Sequence, residues 1–69
     1  MSVYKIVELV GTSETSWEEA ARAAVETAGK SLRDLRIAEV SDLDMHLTDD
    51  GKVVEYRAKV KLSFKHEDG

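Results

Sequence analysis

Residues 52–66, KVVEYRAKVKLSFKH, alternate apolar and polar side chains over the length of a long β-strand. The apolar set is Val54, Tyr56, Ala58, Val60, Leu62 and Phe64, and the set between them is Glu55, Arg57, Lys59, Lys61, Ser63 and Lys65. Successive side chains of a strand point to opposite faces of its sheet. The pattern therefore predicts a strand with one buried face and one charged face.

The segment before it predicts a partner strand. Residues 36–46 read RIAEVSDLDMH, and TDDG at 48–51 follows them. Asp50-Gly51 is a strong hairpin signal, because both residue types tolerate positive φ. We therefore expect strands at about 36–48 and about 52–66. Strict alternation along the first of these gives two rows, one of Asp42, Asp44 and His46, the other of Ile37, Glu39, Ser41, Leu43 and Met45.

The N-terminal half predicts a strand followed by a helix. Residues 2–10, SVYKIVELV, favour a strand that stops at Gly11, and a polar loop, GTSETS, follows. Ser16 and Glu19 form a capping box that starts a helix at about 16–33, and the box predicts reciprocal hydrogen bonds between these two residues. The apolar stripe of that helix is mostly alanine, which predicts a close approach of the helix to the sheet.

The element order β-α-β-β indicates an α+β fold with one domain, residues 1–69. The helical crossover between the first two strands suggests that the last strand lies between them, giving a three-stranded antiparallel sheet of order 1-3-2 that partly wraps the helix. A chain of 69 residues buries only about 60% of its unfolded surface, and both sheet edges are left unpaired. We therefore expect self-association.

Composition argues against several function classes. The net charge is −4, and no basic cluster marks a nucleic-acid interface. No apolar run is long enough to span a membrane, and we expect a soluble, cytoplasmic protein. There is no cysteine, neither His46 nor His66 stands in a triad context, and no glycine-rich phosphate loop occurs, so we do not expect an enzyme.

Four segments together resemble the dodecin family: VYKIVELVGTS at 3–13, SWEEAARAAV at 16–25, LRDLRIAEV at 32–40 and EYRAKVKLSF at 55–64. The resemblance implies a hollow homododecamer that does no catalysis, and in many members it implies flavins bound in pairs at subunit interfaces, for storage and for quenching of flavin photochemistry. By this resemblance, a flavin-type pocket would be lined by Ile37, Ala38, Glu39, Asp42, His46 and Arg57.

Two positions depart from the flavin-binding pattern. Ile37 stands where flavin binders of the family keep a stacking tryptophan, and Arg57 stands where they keep a glutamine. Loss of stacking, worth about 1–3 kcal/mol per ring, weakens flavin binding by roughly ten- to a hundredfold. Arg57 has donors and no acceptor, which favours an anionic ligand such as a phosphorylated flavin.

A second hypothesis is a cation site. Asp42 and Asp44 offer hard oxygen ligands suited to Ca²⁺ or Mg²⁺, and the resemblance extends to a tryptophan-less branch of dodecins associated with calcium. The alternative is a solvated face on which Lys59, Lys61 and Lys65 lie across from the two acids. Trp17 is read as a packing or interface residue, with ligand contact as the alternative, and the Asp49-Asp50-Gly51 turn is explained by turn chemistry.

These observations rank the candidate functions. The first expectation is a small-molecule storage or sequestration protein that binds flavin, riboflavin or FMN, in an altered pocket. The second is a divalent-cation binding dodecin without flavin, and the third is a purely structural shell.

Overall fold

The structure is a computed structural model that describes residues 1–66. It contains β1 (Val3–Ser13), α1 (Trp17–Gly29), β2 (Leu35–Leu47) and β3 (Val53–His66). The strands form one antiparallel sheet in the order β1-β3-β2. The predicted α+β fold with strand order 1-3-2 is confirmed, and the last three positions of the predicted domain, 67–69, lie outside the described residues.

The core lies between α1 and the centre of the sheet. It is formed by three helical alanines and three side chains of β3: Ala20, Ala24, Ala28, Ala58, Val60 and Leu62. A Cβ atom added to Gly11 of β1 would lie 1.9 Å from the carbonyl oxygen of Ala20, so the backbones of α1 and β1 are in direct contact there. Small side chains therefore allow the close helix–sheet approach that the alanine stripe predicts.

Two element ends differ from the prediction by more than one residue. β1 continues through Gly11 to Ser13, because Gly11 pairs with Ala58 and extends the ladder to the start of the helix. α1 ends at Gly29, four residues before the predicted end, and both Ser31 N–H and Leu32 N–H turn back to donate to the carbonyl of Ala28. Leu32 still packs against the core, but from this turn and not from the helix.

Hydroxyl groups organise the start of α1. Ser16 is the N-cap, and its Oγ accepts from Glu19 N–H at 3.1 Å, as predicted. The reciprocal bond of the capping box is replaced, because Ser16 N–H donates to Ser13 Oγ at 3.4 Å. The Glu19 carboxylate instead lies 3.9 Å from the guanidinium of Arg22.

A short turn joins β2 to β3. Gly51 N–H donates to the carbonyl of Thr48 at 2.9 Å, and Thr48 N–H donates to that of Lys52 at 2.7 Å. Gly51 adopts φ +86°, whereas Asp50 is not among the positive-φ residues of the described chain. The hairpin is confirmed, with glycine alone using the left-handed region.

The helix covers the sheet unevenly. α1 lies mainly over β1 and β3, so the helix-side face of β2 stays exposed along an apolar row formed by Val40, Leu43 and Met45. The outer edges of β1 and β2 have no strand partner within the described part of the chain. Within residues 1–66, no helix is both long and apolar enough to cross a membrane.

Candidate functional site

The strand register defines an outer face, the side of the sheet turned away from α1. Residues opposite each other in antiparallel strands share a face. Because Ala58, Val60 and Leu62 are buried under α1, the residues between them on β3 lie on the outer face. The β3–β2 pairs on this face are Glu55–His46, Arg57–Asp44, Lys59–Asp42, Lys61–Glu39 and Ser63–Ile37.

A bulge at Ser41 changes which β2 residues share this face. The register shifts between Val40 and Asp42, so Ser41 is an extra residue, and its Oγ donates to the carbonyl of Lys59 at 3.3 Å. An extra residue reverses the alternation beyond it. The predicted grouping of Ile37 and Glu39 with Leu43 and Met45 is therefore wrong, since the first two share the outer face with the acidic row.

The predicted pocket residues are only partly brought together. Ile37, Glu39, Asp42, His46 and Arg57 share the outer face, whereas Ala38 lies opposite the buried Leu62 on the helix side.

The two positions that depart from the flavin-binding pattern lie far apart within one chain. Ile37 pairs with Ser63, six residues along β3 from Arg57, a separation of about 20 Å at the rise of a strand. One protomer therefore cannot place both side chains against a single small ligand.

A bidentate ion pair lies towards one end of the outer face. Arg57 Nε donates to Asp44 Oδ1 at 2.6 Å, and its Nη2 donates to Oδ2 at 3.1 Å. The hydrogen bond from Arg57 lowers the pKa of Asp44 below its ordinary value, with the charges of Arg57 and Lys59 adding to the effect. In turn, the hydrogen bond and charge of Asp44 raise the pKa of Arg57.

Opposite charges continue along the rest of the face. Lys59 stands opposite Asp42, as predicted, whereas Lys61 stands opposite Glu39 and Arg57 faces Asp44. The predicted placement of Lys65 across from these acids is wrong, because Lys65 pairs with Tyr4 of β1. At the turn end, His46 Nδ1 lies 3.4 Å from Glu55 Oε2. The β2–β3 half of the outer face is thus largely charge-compensated.

The other end of the outer face is apolar. Ser63 is flanked by Ile6 of β1 and by Ile37 of β2, and these isoleucines are 64% and 59% exposed. Tyr4, opposite Lys65, extends this surface. An exposed isoleucine pair of this kind offers apolar contact area for a ligand or a second protomer.

The acidic row does not form a complete cation site in one chain. Among residues 1–66, no group of three or more His, Asp or Glu side chains is close enough to hold a metal ion. Asp44 is engaged by Arg57, whereas Asp42 is not in any of the ion pairs found in that part of the chain. Of the two predicted ligands, Asp42 has the freer carboxylate.

Trp17 connects the helix start to the same segment of β2 from the opposite side. Its Nε1 donates to the carbonyl of Asp44 at 3.0 Å, and its ring meets that of Tyr56 edge-on with centroids 5.1 Å apart. Trp17 is thus a packing residue within the chain. No local sequence pattern indicates the bond to Asp44 or the Asp44–Arg57 pair, because the pair depends on how β2 aligns with β3 from the connecting turn and the bond depends on how α1 packs on the sheet.

Comparison with known proteins gives a consistent set of relatives. The family model described as Dodecin matches residues 3–67. The chain is 49% identical over 65 residues to calcium dodecin of Mycobacterium tuberculosis, covering 94% of this chain and 90% of that protein. It is 42% identical over 66 residues to dodecin of Thermus thermophilus, covering 96% and 94%.

A solved structure agrees with the sequence relatives. The crystal structure of the calcium chelating antigen calcium dodecin from Mycobacterium tuberculosis, described as having a novel calcium-binding site, superposes with a TM-score of 0.83. The two chains are 46% identical, with 99% of this chain and 96% of the other covered.

Proposed function

The chain belongs to the dodecin family, and on this premise we propose that it is a non-catalytic binding protein that assembles as a homododecamer and holds calcium on the outer face of its sheets. The observation that carries the choice of calcium is the 49% identity to a protein named calcium dodecin across 94% of this chain. Ile37 at the position of the flavin-stacking tryptophan points the same way.

Self-association is supported by the surface that α1 leaves uncovered. Val40, Leu43 and Met45 are each about half exposed on the helix side of β2, next to a strand edge that has no partner within residues 1–66. Apolar rows beside open edges favour burial against further copies of the chain. Sedimentation should give a particle of twelve chains; a monomer or dimer would overturn the assembly.

The cation site we propose is completed by more than one protomer. Calcium takes six to eight oxygen ligands, more than Asp42 and its neighbours supply in one chain. Asp42 is the lead ligand, because its carboxylate is free of the ion pairs in the described residues. Asp44 is the second candidate, and it would have to exchange Arg57 for the ion.

Melting temperature tests this proposal. A ligand that binds only the folded state at 100 times its Kd stabilises it by about 2.7 kcal/mol. We expect the protein to melt at a higher temperature in calcium than in a chelator, and we expect Asp42→Asn to remove most of the difference. Asp49→Asn, in the exposed turn between β2 and β3, is the matched control and should keep it. Identical melts of the unsubstituted protein in calcium and chelator would refute the site.

Flavin binding is the second candidate, favoured by the common face of Ile37, Glu39, Asp42, His46 and Arg57. Because Ile37 and Arg57 are about 20 Å apart along the sheet, such a pocket would combine the isoleucine of one protomer with the arginine of another. Riboflavin and FMN titrations should show saturable fluorescence quenching. Ile37→Trp should then tighten riboflavin binding by roughly ten- to a hundredfold, with Ile37→Leu as the control that adds no ring.

An absence of saturable quenching at micromolar protein would eliminate the flavin candidate. If quenching occurs but Ile37→Trp leaves the affinity for riboflavin unchanged, the isoleucine does not line the pocket.

A further inference from the structure

The guanidinium group of Arg57 is already occupied within the chain. Two of its nitrogens donate to the two oxygens of Asp44, at 2.6 and 3.1 Å, so both halves of the fork are used. The pair is directly cross-strand, and its side chains are 44% and 54% exposed. The guanidinium group of Arg57 is therefore exposed to solvent on the outer face, although it is already paired with a carboxylate of the same chain.

No other acid of the described chain takes this place. Glu55 is the nearest acid along β3 on the same face, but its carboxylate contacts His46. On the β1 side, the residue opposite Arg57 is Thr12, which is uncharged. Among residues 1–66, Asp44 is therefore the acid whose carboxylate bonds the guanidinium group of Arg57.

Carboxylate and phosphate oxygens compete for the same fork, since both accept two parallel hydrogen bonds from a guanidinium group. We propose that Asp44 is a specificity-determining residue that occupies Arg57 and makes the outer face select against phosphate-bearing ligands. This role of Asp44 rests on the proposed function in one respect, that the outer face is the binding surface. Arg57 by itself predicts a preference for anionic ligands, and its pairing with Asp44 reverses that preference.

The test removes the charge of Asp44 and keeps its shape. Asp44→Asn, in the assembled protein, should raise the affinity for inorganic phosphate by about fivefold, the upper range for an exposed ion pair. The affinity is obtained from the rise of melting temperature with phosphate concentration, with chloride adjusted to hold ionic strength constant. Asp44→Ala is the second variant, because it also removes the amide that could still accept from Arg57.

The matched control is Glu8→Gln, which removes one carboxylate charge from the same outer face, on β1 opposite Lys61. It should change phosphate affinity by less than about twofold, since Lys61 is four residues along β3 from Arg57, about 13 Å, and solvent and salt screen charges at that distance. Adding Arg57→Gln to Asp44→Asn should abolish the gain. Equal gains from Glu8→Gln and Asp44→Asn, or no gain in either Asp44 variant, would overturn the proposal.

This outcome is separate from that of the proposed function. Phosphate affinity is read without calcium and without flavin, so a failed calcium melt leaves the phosphate result intact. Conversely, a calcium-dependent melt with no phosphate gain in Asp44→Asn would support the cation site and reject the role of Asp44. If riboflavin binds, its affinity should stay within about twofold in Asp44→Asn while that of FMN rises by about fivefold, as expected for an exposed ion pair.

Discussion

Replacing Gly11 with alanine should strongly destabilise the protein, through one steric contact. The added Cβ would lie 1.9 Å from the Ala20 carbonyl oxygen and 2.9 Å from its carbon, and both are backbone atoms. The strand and helix would have to separate by about 1.5 Å to reach the 3.4 Å lower limit of ordinary contact. Gly11 is not among the positive-φ glycines, so φ adds no strain of its own.

The loss of stability follows from the core packing that this separation would disturb. Ala20 and Ala58 are completely buried, and moving α1 away from β1 loosens the layer that they form. Overpacking of a tight core costs about 1–3 kcal/mol. The cost here should lie at or above the upper end of that range, because the added Cβ meets backbone atoms and no flexible side chain can move away. For a domain of this size, about 3 kcal/mol lowers the melting temperature by at least about 10 °C.

The assay is a thermal melt at matched protein concentration, because the proposed assembly would make the melting temperature concentration-dependent. Gly29→Ala is the control, since a Cβ there meets only Leu35 Cδ1 at 4.0 Å. That helical position should gain up to about 1 kcal/mol from alanine. If Gly11→Ala melts within about 3 °C of the unsubstituted protein, a loss below roughly 1 kcal/mol, the inferred backbone contact between helix and strand is wrong.

Three further predictions concern the helix start and the ion pair. Ser16→Ala removes the acceptor for Glu19 N–H and should cost about 1 kcal/mol of unfolding free energy, measured by urea denaturation, with Ser16→Asp restoring it. Trp17→Phe keeps an aromatic ring but loses the bond to the Asp44 carbonyl, so chemical denaturation should show a loss of about 1 kcal/mol; an unchanged midpoint would contradict the bond. Arg57 lowers the pKa of Asp44 from 3.8, so the ion pair stabilises the folded state above pH 3.8, and this stabilisation is lost as the pH falls through the lowered pKa. Asp44→Asn should therefore flatten the dependence of unfolding free energy on pH in that range, and parallel curves for the two proteins would contradict the pairing.

Periodicity and local signals were sufficient for much of the fold. The alternation in β3 correctly identified its buried face, Ser16 correctly marked the helix start, and Asp50-Gly51 correctly marked the hairpin. These features depend on neighbours in the chain, which is why a single sequence carries them. The predicted end of β1 at Gly11 was wrong. Glycine usually weakens a strand, whereas here the absence of a side chain at Gly11 allows the backbone of α1 to pack directly against the strand.

The candidate site was harder to predict, because it depends on register. One extra residue at Ser41 brings Ile37 and Glu39 onto the face of Asp42, and a strict period of two contains no sign of it. The partner of Arg57 was also not predictable, since several acids were possible partners, and only the strand register shows that Asp44 lies opposite Arg57.

Trp17 gives the protein a built-in optical reporter. It is the single tryptophan of the chain, and its indole is bonded to the backbone of Asp44, the residue whose side chain holds Arg57 on the other face. Any ligand that draws Asp44 or Arg57 out of their pair acts on a strand segment in contact with this indole. Unlabelled protein can therefore be followed by intrinsic fluorescence in rapid mixing, which would time the opening of the pair.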